Sequence, residues 1–268
     1  GLPILFAIPA LLWLIVWAIR AACVGSWFPR TADGRIVFGQ IFYGDYTIDP
    51  IFMLTFFGAI YILYKGCSKL WNMFKNNDGK LLVIGPTKPW YWHLGMLLWE
   101  EIGSHKKFHT CTTGPKIGHM CTVWAFICLM VVTAVVAGGH WVGKVFPCIS
   151  IATPMPTLFP VKILANFGAI LLLVGLFLLT IRRKRQNPKY FSSSYQDWYL
   201  LGLIWCIALT GCFSQFFRLI DAVHCAYFIY YLHLVFVWML FAYLPWSKLG
   251  HLVYRTAALL YVRMYGRG

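Results

Sequence analysis

Residues 223–245 read VHCAYFIYYLHLVFVWMLFAYLP, and no Asp, Glu, Lys or Arg interrupts them. The hydrocarbon core of a bilayer is about 30 Å thick, and a helix needs about 20 mostly apolar residues to cross it. Inside lipid each backbone N–H and C=O must be satisfied within the protein, which a run of this kind achieves as a helix. Five other stretches share the pattern, at 2–23, 50–70, 117–139, 159–181 and 197–217. The reading is an all-α, polytopic membrane bundle of six transmembrane helices.

Composition agrees with that reading. Of the 268 residues, 60% are hydrophobic and 12% charged, whereas soluble domains carry about 25% charged residues. So much apolar surface cannot be hidden inside a sphere of this size, which excludes a soluble monomer. Disorder needs the opposite composition. The net charge of +15 falls unevenly along the chain. Seventeen Lys and Arg lie in 65–116, 182–189 and the C-terminal tail, and six (Arg20, Arg30, Arg35, Lys144, Lys162, Arg218) lie on the opposite side of the predicted topology. The positive-inside bias then places both termini and the two most basic loops in the cytoplasm, in a multi-pass protein of the cell membrane. That distribution also accounts for the charge without a nucleic-acid partner. The nine cysteines form no C-x-x-C and no paired zinc-ligand spacing, so they read as small apolar fillers. The opening Gly1-Leu2-Pro3 lacks Met, as a fragment or processed product does, and residues 2–19 lack the basic flank of a signal peptide.

Two segments read as helices lying in the membrane interface. Residues 88–108 join the Trp90-Tyr91-Trp92 cluster to Leu94, Leu97, Leu98 and Ile102 at helical spacing. Residues 246–265 place Leu249, Leu252, Val253, Leu259 and Leu260 on one face, after Pro245 ends the sixth span. Flat helices of this kind suit either lipid headgroups or a soluble partner.

The chemical signal lies in the eight histidines. An ionisable side chain at membrane depth is costly and raises a functional question. His233 stands mid-span with no acidic neighbour in sequence, and haem iron is a suitable partner for its imidazole. His233 and His251 are 18 residues apart, five full turns and the same face of a continuous helix. His105 and His119, 14 apart, fall about 40° from one another, while His109 is about 80° out of register with His119. Two helices with two inward histidines each can hold two haems.

The segment FIYYLHLVFVWMLFAYLPWSKLGHLVYR (228–255) resembles the last transmembrane helix of the nitrate reductase gamma-subunit type of cytochrome b. SHKKFHTC (104–111), GHMCTVWAFICLMVVTAVV (118–136), LFPVKILANFGAI (158–170), SSYQDWYLLGLI (193–204) and KLGHLVYRTAALLYVRMYGR (248–267) are similar to the membrane domain of the QmoC family, from the quinone-interacting membrane-bound oxidoreductases. The membrane subunit of heterodisulfide reductase is a further relative of that family. The resemblance covers most of 100–268, the expected haem-bearing core of a single transmembrane cytochrome b domain spanning 1–268.

The resemblance implies a dihaem cytochrome b subunit of a quinone-linked oxidoreductase, with two haem b groups and menaquinone as substrate. It also implies cytoplasmic flavin and iron–sulfur partner subunits, with adenylylsulfate reductase downstream in dissimilatory sulfate reduction. Members carry an N-terminal iron–sulfur domain whose cysteine motifs this chain lacks, which points to that domain being missing or on another chain. The implied haem ligands are His105, His119, His233 and His251. The third and sixth spans run antiparallel in the predicted topology, which pairs His105 with His251 near the cytoplasmic face and His119 with His233 deeper in. The rival set pairs His119 with His251 and brings in His109 or another histidine. A transporter, or a cofactor-free membrane anchor for a soluble complex, remains an alternative function.

A quinol needs an apolar slot and polar groups for two ring oxygens. Arg218, His224, Lys162 and His140, with Asp221 and Tyr227, gather at the non-cytoplasmic end of the predicted bundle. The Trp90–Trp92 cluster marks the alternative, on the cytoplasmic side. Lys248, Arg255 and the Lys106-Lys107 pair are placed to meet the propionates of the cytoplasmic haem. Replacing Arg255 by Gln is expected to shift the potential of that haem alone. An unchanged redox titration would make Arg255 an ordinary positive-inside residue.

Overall fold

The computed structural model describes residues 2–42, 44–77, 88–100, 113–146, 148, 155–156, 158–185 and 194–265. Eight α-helices account for most of them: α1 (Leu2–Val24), α2 (Asp49–Asn77), α3 (Trp90–Leu98), α4 (Thr113–Val145), α5 (Pro160–Arg185), α6 (Tyr195–Leu219), α7 (Val223–Ala242) and α8 (Lys248–Met264). Six of these, α1, α2 and α4–α7, are long and apolar enough to cross a membrane. No strand occurs among the described residues. The spans run longer than the hydropathy windows, because α2 and α4 continue into polar sequence past the hydrocarbon-length core.

The chain divides into two units. The first, residues 1–53 and 114–240, centres on α4, α5 and α6. Ala125 of α4, Leu172 and Leu176 of α5 and Leu201, Ile204 and Ala208 of α6 form its buried cluster. Glycine permits the close approach of α4 to α5: a Cβ on Gly175 would collide with Thr122, and one on Gly118 would press on Leu178. Close packing through small residues is how helices associate in lipid, where burial of apolar surface gives no drive. Trp205 Nε1 donates to Thr180 Oγ1 at 3.0 Å, a polar tie between α6 and α5.

In the same unit, residues 25–42 fold over the end of α7. Tyr227 Oη donates to the Pro29 carbonyl, Phe38 stacks on Tyr230 with centroids 4.3 Å apart, and Trp17 Nε1 donates to Trp27 O at 3.0 Å. Arg20 Nε reaches Gln40 O at 3.0 Å. Tyr231 Oη donates to Ala10 O on α1 at 2.8 Å. These bonds satisfy loop and helix carbonyls next to the apolar spans.

The second unit, residues 54–113 and 241–268, contains most of α2 together with α3 and α8. α7 stops at Ala242 rather than at Pro245, because Pro245 has no N–H to give the Phe241 carbonyl and its ring crowds that carbonyl. Leu244–Trp246 form a 3₁₀ turn, and Ser247 caps α8 by accepting from Leu249 N at 3.1 Å. Gly250 lies under the Pro245 carbonyl, where a Cβ would overlap it. The expectation that His233 and His251 share one helix face is corrected here. The turn at 243–247 separates their helices and breaks the 18-residue periodicity.

α8 packs on α3. Arg263 makes a bidentate ion pair with Glu100, at 2.7 and 3.1 Å, and that carboxylate raises the guanidinium's affinity for its proton. Burial pushes the Tyr243 phenol up. Trp90, Tyr91, Trp92 and Trp99 are exposed on α3 and its C-terminal edge, and Lys88 lies over the Trp92 ring. This is the aromatic and basic character expected of an interfacial helix. α3 covers only 90–98 of the stretch 88–108, and residues 101–108 lie outside the described residues.

Gly175→Ala is expected to destabilise the α4–α5 contact by about 1–3 kcal/mol, the usual cost of overpacking. Thermal unfolding of the detergent-solubilised protein reads this as a lowered Tm. Gly202→Ala, where a Cβ meets nothing within 4 Å, serves as the neutral control.

Candidate functional site

His233 lies on α7, whose residues are apolar on every side, so its imidazole has few polar neighbours within its own helix. The neighbouring span α6 supplies them. Nδ1 stands 3.2 Å from Ile207 O and 3.1 Å from Thr210 Oγ1. The Thr210 hydroxyl donates its own proton to Cys206 O at 2.6 Å, so towards the imidazole it acts as an acceptor. Ile207 O can only accept. Both partners therefore assign the proton to Nδ1, and Nε2 keeps its lone pair. Among the described residues, both of His233's hydrogen bonds are made at Nδ1.

The ring lies over Gly211: a Cβ there would stand 3.1 Å from Cε1 and 3.5 Å from Nδ1. The order Ile207, Thr210, Gly211 on one turn of α6 thus supplies an acceptor, a second acceptor and the room for an imidazole. Ser214 Oγ donates to Thr210 O at 2.7 Å, which ties the following turn to the same site. A histidine that offers one nitrogen to a metal almost always donates its other N–H to a carbonyl or carboxylate, which fixes tautomer and orientation. His233 meets that requirement. Nε2 is the ring atom left to bind a metal.

The other expected ligands are placed differently. His119 is exposed on α4, one residue after the close-packed Gly118. His251 is exposed in the first turn of α8 and belongs to the second unit, whereas His119 and His233 belong to the first. His105 and His109, with Lys106 and Lys107, lie outside the described residues. Among the described residues, no three His, Cys, Asp or Glu side chains gather to hold a metal ion. Haem needs only one or two axial histidines.

A second feature is a cavity of about 420 Å³, lined among others by Phe28, Arg30, Asp221, His224 and Cys225. That volume lies within the range of small-molecule pockets. Asp221 adopts φ 58° at the α6–α7 turn, a conformation an Asp tolerates better than most residues. Its carboxylate pairs with Arg30 at 2.9 Å, and Arg30 also donates to Gly34 O at 2.7 Å. The His224 ring stands 4.4 Å from that of Phe28.

Of the expected quinone residues, His224 and Asp221 line this cavity. Arg218, Lys162 and His140 do not. Lys162 and Arg218 instead stand close enough for their charges to interact. Tyr227 is fully buried and its hydroxyl is committed to Pro29 O, so it is a structural tie rather than a quinone partner.

Sequence reasoning missed Thr210 and Gly211 as supports of His233, and Phe28 and Arg30 as walls of the cavity. A Thr-Gly pair inside an apolar span is the signal that marks the first. The second depends on a loop about 190 residues distant in sequence and carries no local signal.

Comparison with protein-family models, curated proteins and solved structures returned no match to this chain.

Tyr227→Phe is expected to loosen residues 25–42, since losing a buried hydrogen bond typically costs about 1–3 kcal/mol. Limited trypsin digestion should then cut faster after Arg30 and Arg35 than in the wild type. Equal cleavage rates would show that the stacked rings hold the loop without the hydroxyl.

Proposed function

We propose that this chain is a membrane dihaem cytochrome b subunit that carries electrons between menaquinol and cytoplasmic iron–sulfur and flavin subunits. The observation that supports the reading is the His233 site, where α6 fixes the Nδ1 proton and leaves Nε2 to bind iron. Haem supplies reversible one-electron chemistry when bound, and the protein's contribution is placement and tuning. In this reading His233 would hold one haem iron, with Thr210 and Ile207 orienting its ring and Gly211 admitting it. His119, His251 and His105 complete the ligand set, with His109 as the alternative.

The quinone reading rests on the cavity beside His224. Its Phe28 wall is apolar, and His224 can exchange protons with a ring oxygen. The Arg30–Asp221 pair would hold the loop that closes one side. With both termini in the cytoplasm of a cell-membrane protein, a quinol oxidised there releases its protons outside. The chain would then act as the electron-transfer subunit of a quinone-linked oxidoreductase, as in sulfate reduction, rather than as an enzyme by itself. The cytoplasmic interfacial helices α3 and α8 would seat its soluble partners.

Two variants test the reading through the reduced-minus-oxidised spectrum. His233→Ala is expected to lose about half of the b-type absorbance and to keep the rest. Thr210→Val should keep both haems but retain one of them about tenfold less tightly, the usual scale for an outer-shell hydrogen bond. Undiminished haem content in His233→Ala would overturn the assignment. A wild-type protein with no b-type band would favour the cofactor-free anchor.

A further inference from the structure

The ends of α5 and α6 form a second recess, separate from the His233 site and from the cavity beside His224. It has a volume of about 210 Å³ and is lined by Leu179, Arg182, Arg183 and Leu201. Small-molecule pockets run from about 300 to 1,000 Å³, so this recess is too small for a haem or a quinone ring with its tail. It suits a compact group.

The charge around it is one-sided. Arg182, Arg183, Lys184 and Arg185 follow one another in the last turn of α5. That end of a helix carries only about half a negative charge, which four cations outweigh. The carboxylate beside Arg183, that of Asp197, is already engaged. Its Oδ2 accepts from both Ser194 N (3.0 Å) and Ser194 Oγ (2.9 Å) in the capping box of α6. Asp197 Oδ1 lies 3.3 Å from Arg183 Nη1, an ion pair by distance. Nη1 is nevertheless buried without a hydrogen bond among the described residues. The guanidinium carbon stands 5.9 Å from the centre of the Trp198 ring.

Two adjacent guanidinium groups lining one recess match the oxygens of a phosphate group. Leu179 and Leu201 add an apolar wall on the same recess. We propose that this recess binds a phosphate group, presented by the headgroup of an anionic phospholipid whose first acyl carbons lie along the two leucines. Free inorganic phosphate offers the same oxygens without the apolar part. Basic pockets between membrane helices are a recognised place for such headgroups. The site differs from general snorkelling of basic side chains, because it requires Arg182 and Arg183 and the recess itself rather than the total charge.

The full-length protein, delipidated in detergent, can be titrated with phosphatidylglycerol, phosphatidylcholine and inorganic phosphate and followed by native mass spectrometry. One phosphatidylglycerol is expected to remain bound, with phosphatidylcholine at least tenfold weaker. The double variant Arg182→Gln/Arg183→Gln should weaken phosphatidylglycerol at least tenfold, and Lys184→Gln/Arg185→Gln should change it less than twofold. Leu201→Trp fills the recess and keeps every charge, so it should also lose the lipid if the fold is intact by thermal unfolding. Displacement of the lipid by millimolar phosphate, with the same dependence on Arg182 and Arg183, would assign the site to the free anion. Equal retention of both lipids, equal loss in both double variants, or undiminished binding in Leu201→Trp would overturn the proposal.

Discussion

A polar group inside an apolar span must find its partner within the protein, and in this chain that constraint is sharpest at His233. Its own helix offers apolar side chains in every direction, so the imidazole turns to the carbonyl of Ile207 and the hydroxyl of Thr210 on α6. That choice ties α7 to α6, favours a glycine at 211, where a Cβ would stand 3.1 Å from the ring, and settles which ring nitrogen carries the proton. The same constraint shapes the remainder of the first unit. Hydroxyls of Thr122, Thr133 and Thr180 return to carbonyls four residues earlier on their own helices. Tyr227 and Tyr231 reach across to the carbonyls of Pro29 and Ala10.

Packing follows from these ties. Where lipid removes the drive to bury apolar surface, helices meet through small residues and short polar bonds. α4 and α5 meet at Gly118, Gly168 and Gly175, whose missing side chains let one backbone approach the other. In the second unit Trp71 and Phe74 of α2 pack on Tyr261 of α8, Gly66 lies close against Tyr254, and an ion pair is added. Its short helices lie outside the six spans and carry full charges, so Arg263 and Glu100 form an ion pair that would be far more costly at the bilayer centre.

The six spans were legible from hydropathy because backbone satisfaction in lipid leaves few choices. The short helices at 90–98 and 248–264 were legible from aromatic clustering and amphipathic spacing. The break at 243–247 was visible as Pro245, yet the 18-residue spacing of His233 and His251 has meaning only for a helix that continues through it. His233 stood out as a buried ionisable residue. Its supports did not, since Thr and Gly in an apolar run have many uses. The cavity beside His224 depends on the loop at 28–30, whose position is set by Tyr227 and by the Arg30–Asp221 pair rather than by any local pattern.

In the proposed reading the Nδ1 bonds leave the His233 imidazole ready to act as a metal ligand within a membrane bundle. The haem-to-protein ratio, measured by pyridine haemochrome on the protein purified intact from membranes, tests that role most directly. A ratio near two is predicted, and protein that folds and purifies without haem would contradict the account.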